Sequence, residues 1–192
     1  MKIKYFFAVV LLFVSMPSFA ETKVGLGTSV NSLVSYSSSV VYTSTGNVFL
    51  PIRINNRVLL EPYLIYRKYE EDGESFALRK DEAKGLGFGA FYIVDLQESV
   101  YSYFGGRLGW YESTYEYEFQ DGTKDENKYE NVGIAPIVGL EYQAHENVFV
   151  SVEAGIGYYD TKEKQSSGSL NPDDVEGSSI NTFANIMLRM MF

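Results

Sequence analysis

A two-residue alternation of apolar with small or polar side chains runs through most of the chain after residue 20. It is clearest over residues 148–158, where the even positions are mainly apolar and the odd positions include Ser151, Glu153 and two glycines. The same period recurs at 132–144 and 180–192, and in weaker form at 23–33, 47–55, 58–69, 84–94 and 100–115. Because period two is typical of β-strands with one apolar face, the pattern predicts eight strands.

Short and long connections alternate between these stretches. The short ones are rich in Asn, Asp and Glu and are typical of tight turns: 55–57, 95–98 and 145–147. The long ones are polar: 35–46, 70–82, 116–130 and 160–179. Eight strands joined in this way predict an all-β, antiparallel, up-and-down barrel. Its long loops lie at one end, and both ends of the barrel chain lie at the other.

The first 20 residues have the three parts of a secretory signal peptide. Lys2 and Lys4 precede an apolar run at 5–14, and Ser18 and Ala20 are the small residues before a cleavage site. A membrane anchor is disfavoured because ten apolar residues make about 15 Å of helix, half of a bilayer core. We predict cleavage after Ala20, which leaves residues 21–192 as one barrel domain with 14 basic and 25 acidic residues.

The location of the charged residues distinguishes a membrane barrel from a soluble, lipocalin-like one. The face opposite the apolar one is small, glycine-rich and sparsely charged, whereas a soluble barrel needs a generously charged outer face. Against lipid, each basic residue at the midplane would cost about 2–4 kcal/mol. We therefore predict a transmembrane barrel whose lumen holds an ion-pair network of Arg53, Glu61, Arg67, Arg107, Glu141, Glu153 and Arg189.

Aromatic residues on the apolar face fall near the strand ends. If odd-numbered strands run outward, one predicted girdle lies near the cell surface and contains Tyr66, Trp110 and Tyr158. The other lies near the periplasm and contains Tyr92, Tyr142 and Phe192. Two such rings around an apolar band are expected of an outer-membrane barrel.

Three segments carry a family resemblance: Leu50-Pro51-Ile52, Leu60-Glu61-Pro62-Tyr63 and the ending at 186–192. With the signal peptide and the eight strands, they resemble small Gram-negative outer-membrane β-barrel proteins. These are the outer membrane protein X group and the transmembrane domain of outer membrane protein A. The resemblance implies a barrel in outer-membrane lipid and lipopolysaccharide. It also implies assembly by the barrel assembly machinery, which would recognise Phe192. We further expect a monomer.

The inventory of reactive side chains argues against an enzyme. The chain has no Cys, which excludes disulfides, thiol nucleophiles and cysteine zinc sites. Its one histidine, His145, is predicted in a periplasmic turn, so a lipid A-modifying enzyme is a disfavoured alternative. Residues 85–89 lack the context of a nucleotide loop, and 121–127 lack the closing Glu of an EF-hand. We expect no cofactor and no metal. A net charge of -9 argues against nucleic acid.

The negative charge is concentrated in three of the long connections. Segments 69–82, 112–130 and 160–176 carry net charges of -4, -5 and -3. We predict a closed, charge-filled barrel that acts in envelope structure or in surface interaction through these acidic loops. A narrow porin-like channel is the alternative.

Overall fold

The computed structural model describes residues 21–33, 42–71, 78–165 and 175–192. Nine strands lie in these ranges: β1 (Thr22–Leu33), β2 (Tyr42–Phe49), β3 (Ile52–Ile54), β4 (Val58–Glu71), β5 (Leu78–Gln97), β6 (Val100–Glu118), β7 (Lys124–His145), β8 (Val148–Gln165) and β9 (Val175–Met191). In this part of the chain, no helix has the length and apolar character needed to cross a membrane. The predicted signal peptide lies outside the described residues.

The strands form one closed antiparallel ring. Each strand from β4 to β8 pairs with the next, and β1 closes the ring by pairing with β9 from Gly25↔Met191 to Leu33↔Phe183. Both β2 and β3 lie between β1 and β4, and they are separated only by Leu50 and Pro51. Proline has no N–H to donate to the ladder, but the Pro51 carbonyl still accepts a bond from Gly25 N at 2.9 Å. The nine segments thus make an eight-stranded up-and-down barrel, as predicted.

Tight turns join the strands at one end, which we name the short-turn end. Between β3 and β4, Asn55 and Asn56 have φ of 50° and 54°. Positive φ at both central residues is the requirement of the type I′ hairpin turn, and Asn accepts it readily. Ser99, with φ of 62°, lies in the turn from β5 to β6. The opposite end, where β6 ends at Glu118 and β7 begins at Lys124, is named the hairpin end.

At the hairpin end, the prediction of long irregular loops is corrected, because strands continue into them. β6 runs to Glu118 and β7 begins at Lys124, so the segment predicted as a loop at 116–130 is mostly hairpin. β6 has 19 residues, about 63 Å at 3.3 Å per residue, whereas about 9–11 residues cross a membrane. The alternation continues there with charged residues outside and tyrosines inside, which a search for an apolar face does not detect.

Side chains alternate between the inside and the outside of the barrel. Exposed apolar residues lie on the outer face all around the barrel, such as Leu26, Leu64, Val138 and Ile186. The lumen contains a buried apolar cluster near the short-turn end: Leu59, Phe91, Ile93, Tyr103, Ala135 and Ile137. The polar groups of the lumen are arranged around this cluster.

Candidate functional site

Six of the seven charged residues predicted for the lumen are in contact, as an alternating chain of acids and bases. Glu141 accepts bonds from Arg53 Nη2 and Arg189 Nη1, both at 2.8 Å. Glu61 accepts bonds from Arg189 Nε and Arg107 Nη2, both at 2.6 Å. We name this set the arginine–glutamate cluster: Arg53, Glu61, Arg107, Glu141, Glu153 and Arg189.

Glu153 ends the chain of contacts and connects it to neutral partners. Its Oε1 accepts bonds from Arg107 Nη1 and, at 2.6 Å, from Asn185 Nδ2. Its Oε2 accepts a bond from the Tyr103 hydroxyl at 3.2 Å. β4, β6, β8 and β9 therefore meet around this carboxylate and its arginine.

The cluster is electrically neutral and almost fully buried. It has three arginines and three glutamates, and none is more than 8% exposed. Buried ions are tolerated when they are paired and hydrogen-bonded, and removing one partner leaves the other uncompensated. Two donors of the cluster, Arg53 Nε and Arg107 Nε, have no hydrogen-bond partner among the described residues. The arrangement therefore depends on every charge being present.

Aromatic rings and a thioether surround the guanidinium groups. The ring contacts, within 5.2 Å of the centroids, are Arg53 with Tyr101 and Phe149, Arg107 with Phe49 and Phe91, and Arg189 with Tyr103. Met187 Sδ lies 3.4 Å from Arg107 Nη2 and 3.3 Å from Arg189 Nη2. A cation over a ring face is favoured by the ring quadrupole, most strongly where water is excluded. These contacts fill the cross-section around the ions.

Ser151 is a further uncharged partner, because its Oγ accepts a bond from Arg189 Nη1 at 2.6 Å. None of these uncharged partners was predicted as a member of the network. Tyr103 lies four residues before Arg107, Ser151 lies two before Glu153, and Met187 lies two before Arg189. Since alternate residues of a strand share a face, the period-two pattern could have identified all of them as lumen residues.

Tyrosine rings in the lumen pack directly against glycines. A Cβ on Gly139 would lie 2.2 Å from Tyr103 Cζ, and a Cβ on Gly87 would lie 2.2 Å from Tyr63 Cζ. These inward glycines are therefore the surfaces on which the tyrosine rings pack.

Arg67 lies outside the cluster, which corrects its predicted membership. It is six residues beyond Glu61 on β4, about 20 Å along the strand at 3.3 Å per residue. That separation is more than an arginine side chain can span. Arg67 is half-buried and lines a cavity nearer the hairpin end.

The six predicted girdle residues lie on the outer side of the barrel. Near the hairpin end are Tyr66, Trp110 and Tyr158, and near the short-turn end are Tyr92, Tyr142 and Phe192. Trp110 Nε1 donates to Glu130 at 2.8 Å. One further aromatic, Phe104, is outward-facing beside Tyr92, with ring centroids 5.7 Å apart.

Beyond the girdle at the hairpin end, cross-strand ion pairs link the outer faces of the strands. The pairs include Lys84–Glu112 at 3.1 Å, Lys80–Glu116 at 3.6 Å, Lys124–Glu118 at 3.1 Å and Lys162–Glu176 at 2.6 Å. The hydrogen bond that Lys124 Nζ donates to the Glu118 carboxylate raises the pKa of Lys124. Opposite charges on facing strands stabilise a sheet, which explains why the strands extend this far.

Features that suggested other chemistry are part of the barrel framework. His145 is exposed at the end of β7, and residues 85–89 lie within β5. The 121–127 segment holds a hairpin turn, with Gly122 at φ 81° and Thr123 N donating to Asp121 Oδ1 at 2.9 Å. Among the described residues, no group of three or more His, Asp or Glu is arranged to hold a metal.

Several solved structures are similar to this chain. Ail, the attachment invasion locus protein of Yersinia pestis, is 16% identical over 89% of this chain and 96% of Ail, with a TM-score of 0.46. Neisserial surface protein A is 17% identical over 89% of this chain and 97% of that chain, with a TM-score of 0.49. The outer membrane protease OmpT of Escherichia coli is 10% identical over 93% and 99% of the two chains, with a TM-score of 0.32. No curated protein matches the chain by sequence.

The comparison with protein families covers most of the chain. The family model described as the outer membrane protein beta-barrel domain matches residues 6–185. This match confirms the predicted family resemblance, and the ring of strands agrees with it. The chain belongs to the outer membrane protein β-barrel domain family and is a protein of the bacterial outer membrane.

Proposed function

We propose that this outer-membrane protein is a closed, non-enzymatic barrel that acts in envelope structure or surface interaction through its acidic hairpin end. The observation that carries the proposal is the arginine–glutamate cluster, whose contacts join β3, β4, β6, β7, β8 and β9 across the lumen. An eight-stranded barrel has an interior that side chains can just fill. A buried, neutral cluster with packed aromatic rings leaves little room for a continuous water path.

The proposal extends to the surroundings of the barrel. It is a monomer in outer-membrane lipid and lipopolysaccharide, and the barrel assembly machinery recognises Phe192. In support, Phe192 follows the strand that closes the ring, its side chain is exposed, and its N–H donates to Val24 O at 2.7 Å. Cleavage after Ala20 remains part of the prediction.

Ion conductance in planar bilayers tests the closed lumen. The folded wild-type protein is expected to give no discrete current steps, because the arginine–glutamate cluster fills the cross-section of the lumen. Reproducible single-channel steps from protein whose folding is verified by heat-modifiable gel mobility would overturn the closed state and favour the narrow-channel alternative.

A charge-neutral double variant identifies the cluster as the barrier. Glu61→Ala with Arg107→Ala removes one acid and one base that contact each other. If this variant folds, conductance steps are expected to appear in it. A folded double variant that stays silent would argue that other groups close the lumen. The matched control is Glu98→Ala with Arg57→Ala, since both residues are exposed at the short-turn end.

Binding to a basic surface tests the role of the acidic hairpin end. The barrel in neutral lipid vesicles is expected to bind polylysine, with an affinity that falls as salt rises. Neutralising Glu116, Glu118 and Asp121 is expected to weaken this binding. Neutralising Asp95, Glu98 and Glu146, which are exposed at the short-turn end, is the control. Equal loss in both variants, or no loss in either, would contradict a role specific to the hairpin end.

A further inference from the structure

A cavity of about 650 Å³ lies between the arginine–glutamate cluster and the hairpin end. Its lining begins at Phe49, Arg107 and Ile137 and reaches Tyr117 and Asn127, which are close to the ends of β6 and β7. Sites for small molecules usually occupy about 300–1,000 Å³. The size and depth of this cavity therefore suit a small molecule that enters from the outside of the cell.

The cavity is positive although the protein is acidic. Its lining includes Arg67, Arg79 and Arg107, and no Asp or Glu is among the lining residues that the structure describes. Arg107 is held by two glutamates of the cluster, and Arg79 is held by Asp81 at 2.8 Å. Arg67 is different, because no carboxylate of the described residues pairs with it. Its guanidinium is available to a ligand that carries an anionic group.

Six tyrosines and five asparagines supply most of the other polar groups of the lining, and apolar side chains and glycines complete it. Tyr111 and Tyr159 contact each other edge to face with centroids 6.3 Å apart, and neither hydroxyl has a hydrogen-bond partner among the described residues. Five asparagines line the same cavity: Asn47, Asn127, Asn131, Asn181 and Asn185. Asn185 Oδ1 is buried and has no hydrogen-bond partner among the described groups. The wall thus combines flat aromatic surface with many donors and acceptors.

This combination matches the chemistry of a sugar acid. Ring hydroxyls would exchange hydrogen bonds with amides and tyrosine hydroxyls, and the C–H faces of a pyranose would pack on aromatic rings. A carboxylate is one of the groups that a guanidinium binds in bidentate geometry. We propose that the cavity binds a carboxylated sugar of one or two rings, with its carboxylate on Arg67. This inference goes beyond the proposed closed barrel, because the cavity lies above the cluster.

Isothermal titration calorimetry on the full-length barrel in detergent micelles tests the proposal with two disaccharides. Cellobiouronic acid carries one carboxylate, and cellobiose is its neutral counterpart. We expect saturable one-to-one binding of the acid, with cellobiose at least about tenfold weaker, as the loss of a charge-assisted contact predicts. No binding of the acid, or equal binding of both sugars, would overturn the proposal.

Arg67→Gln is the variant that assigns the carboxylate site. It is expected to reduce the affinity for cellobiouronic acid about tenfold and to leave that for cellobiose unchanged. Arg57→Gln makes the same charge change at an exposed turn and is expected to leave both affinities unchanged. If Arg67→Gln fails to fold, Tyr111→Phe serves in its place and is expected to weaken both sugars. Wild-type affinity for the acid in every folded cavity variant would refute the site.

Discussion

Replacing Glu61 by glutamine keeps the size of the side chain and removes the negative charge at the middle of the arginine–glutamate cluster. Glu61 is fully buried, and its two oxygens accept bonds from Arg189 and Arg107, both at 2.6 Å. The substitution leaves three arginines against two glutamates in a region that excludes water. Arg107 then keeps only Glu153 and Arg189 keeps only Glu141, so the cluster carries one uncompensated positive charge.

The expected loss of stability follows from these two contacts. A hydrogen bond to a charged group contributes about 1.5–3 kcal/mol, and removing one partner of a buried ion pair costs about 3–5 kcal/mol. Glutamine retains one oxygen acceptor, so part of one bond survives. We therefore expect the free energy of unfolding to fall by about 3 kcal/mol, near the lower end of that range.

Equilibrium unfolding in urea, with the barrel in phospholipid vesicles, measures this loss. The chain has one tryptophan, Trp110, whose fluorescence reports the transfer of the outer face between lipid and water. Glu61→Gln is expected to lower the midpoint without changing the slope. Glu98→Gln, at an exposed turn, is the control and is expected to change stability by less than about 0.5 kcal/mol.

A double variant separates charge from packing. If the loss in Glu61→Gln is due to uncompensated positive charge, adding Arg107→Gln should restore part of it, and the two changes will not be additive. A Glu61→Gln barrel as stable as the Glu98→Gln control would refute the reasoning. Strict additivity in the double variant would show that the ions do not act as one cluster.

Two further substitutions and one pH titration give additional tests of the structure. Arg107→Ala should lower the unfolding temperature by leaving two carboxylates under-compensated, and an unchanged midpoint would contradict the cluster. Gly139→Ala should destabilise the barrel by about 1–3 kcal/mol in urea, because its Cβ overlaps the buried Tyr103 ring, whereas Gly177→Ala meets nothing within 4 Å. A backbone N–H lowers the pKa of Asp121 from its ordinary 3.8, so its contribution is present above that pH and is lost as pH falls through the lower folded value. A carboxyl titration by NMR with a midpoint at or above 3.8 would contradict that hydrogen bond.

The residues of the arginine–glutamate cluster were predicted from their positions along the strands. Odd and even positions of a strand lie on opposite faces of the barrel. Placing a charged side chain against lipid costs free energy, so the predicted position of Arg53, Glu61 and Arg189 was the face that lines the lumen. Parity says nothing about height in the barrel, however. Arg67 faces the lumen, but it lies nearer the hairpin end than the cluster does. The pairing register and the strand tilt decide which residues of different strands lie side by side.

The length of the strands was also underestimated from the sequence. Over residues 111–118, the odd positions are Tyr or Ser and the even positions are Glu or Thr, so the period continues while the apolar face disappears. The apolar face is required only where lipid is the solvent. In water, cross-strand pairs such as Lys84–Glu112 support the same ladder.

By itself, the sequence determined that the chain is an eight-stranded membrane barrel, which side chains face lipid, and which end carries the acidic surface. These properties follow from local period, turn residues and the free energy of placing each side chain in lipid or water, all of which act along the strand. Only the tertiary structure decided that Glu61 bridges two arginines, that tyrosines occupy the space left by glycines, and that Arg67 lines a separate cavity. Those facts depend on contacts between residues as far apart as Glu61 and Arg189, whose heights are set together when the ring closes.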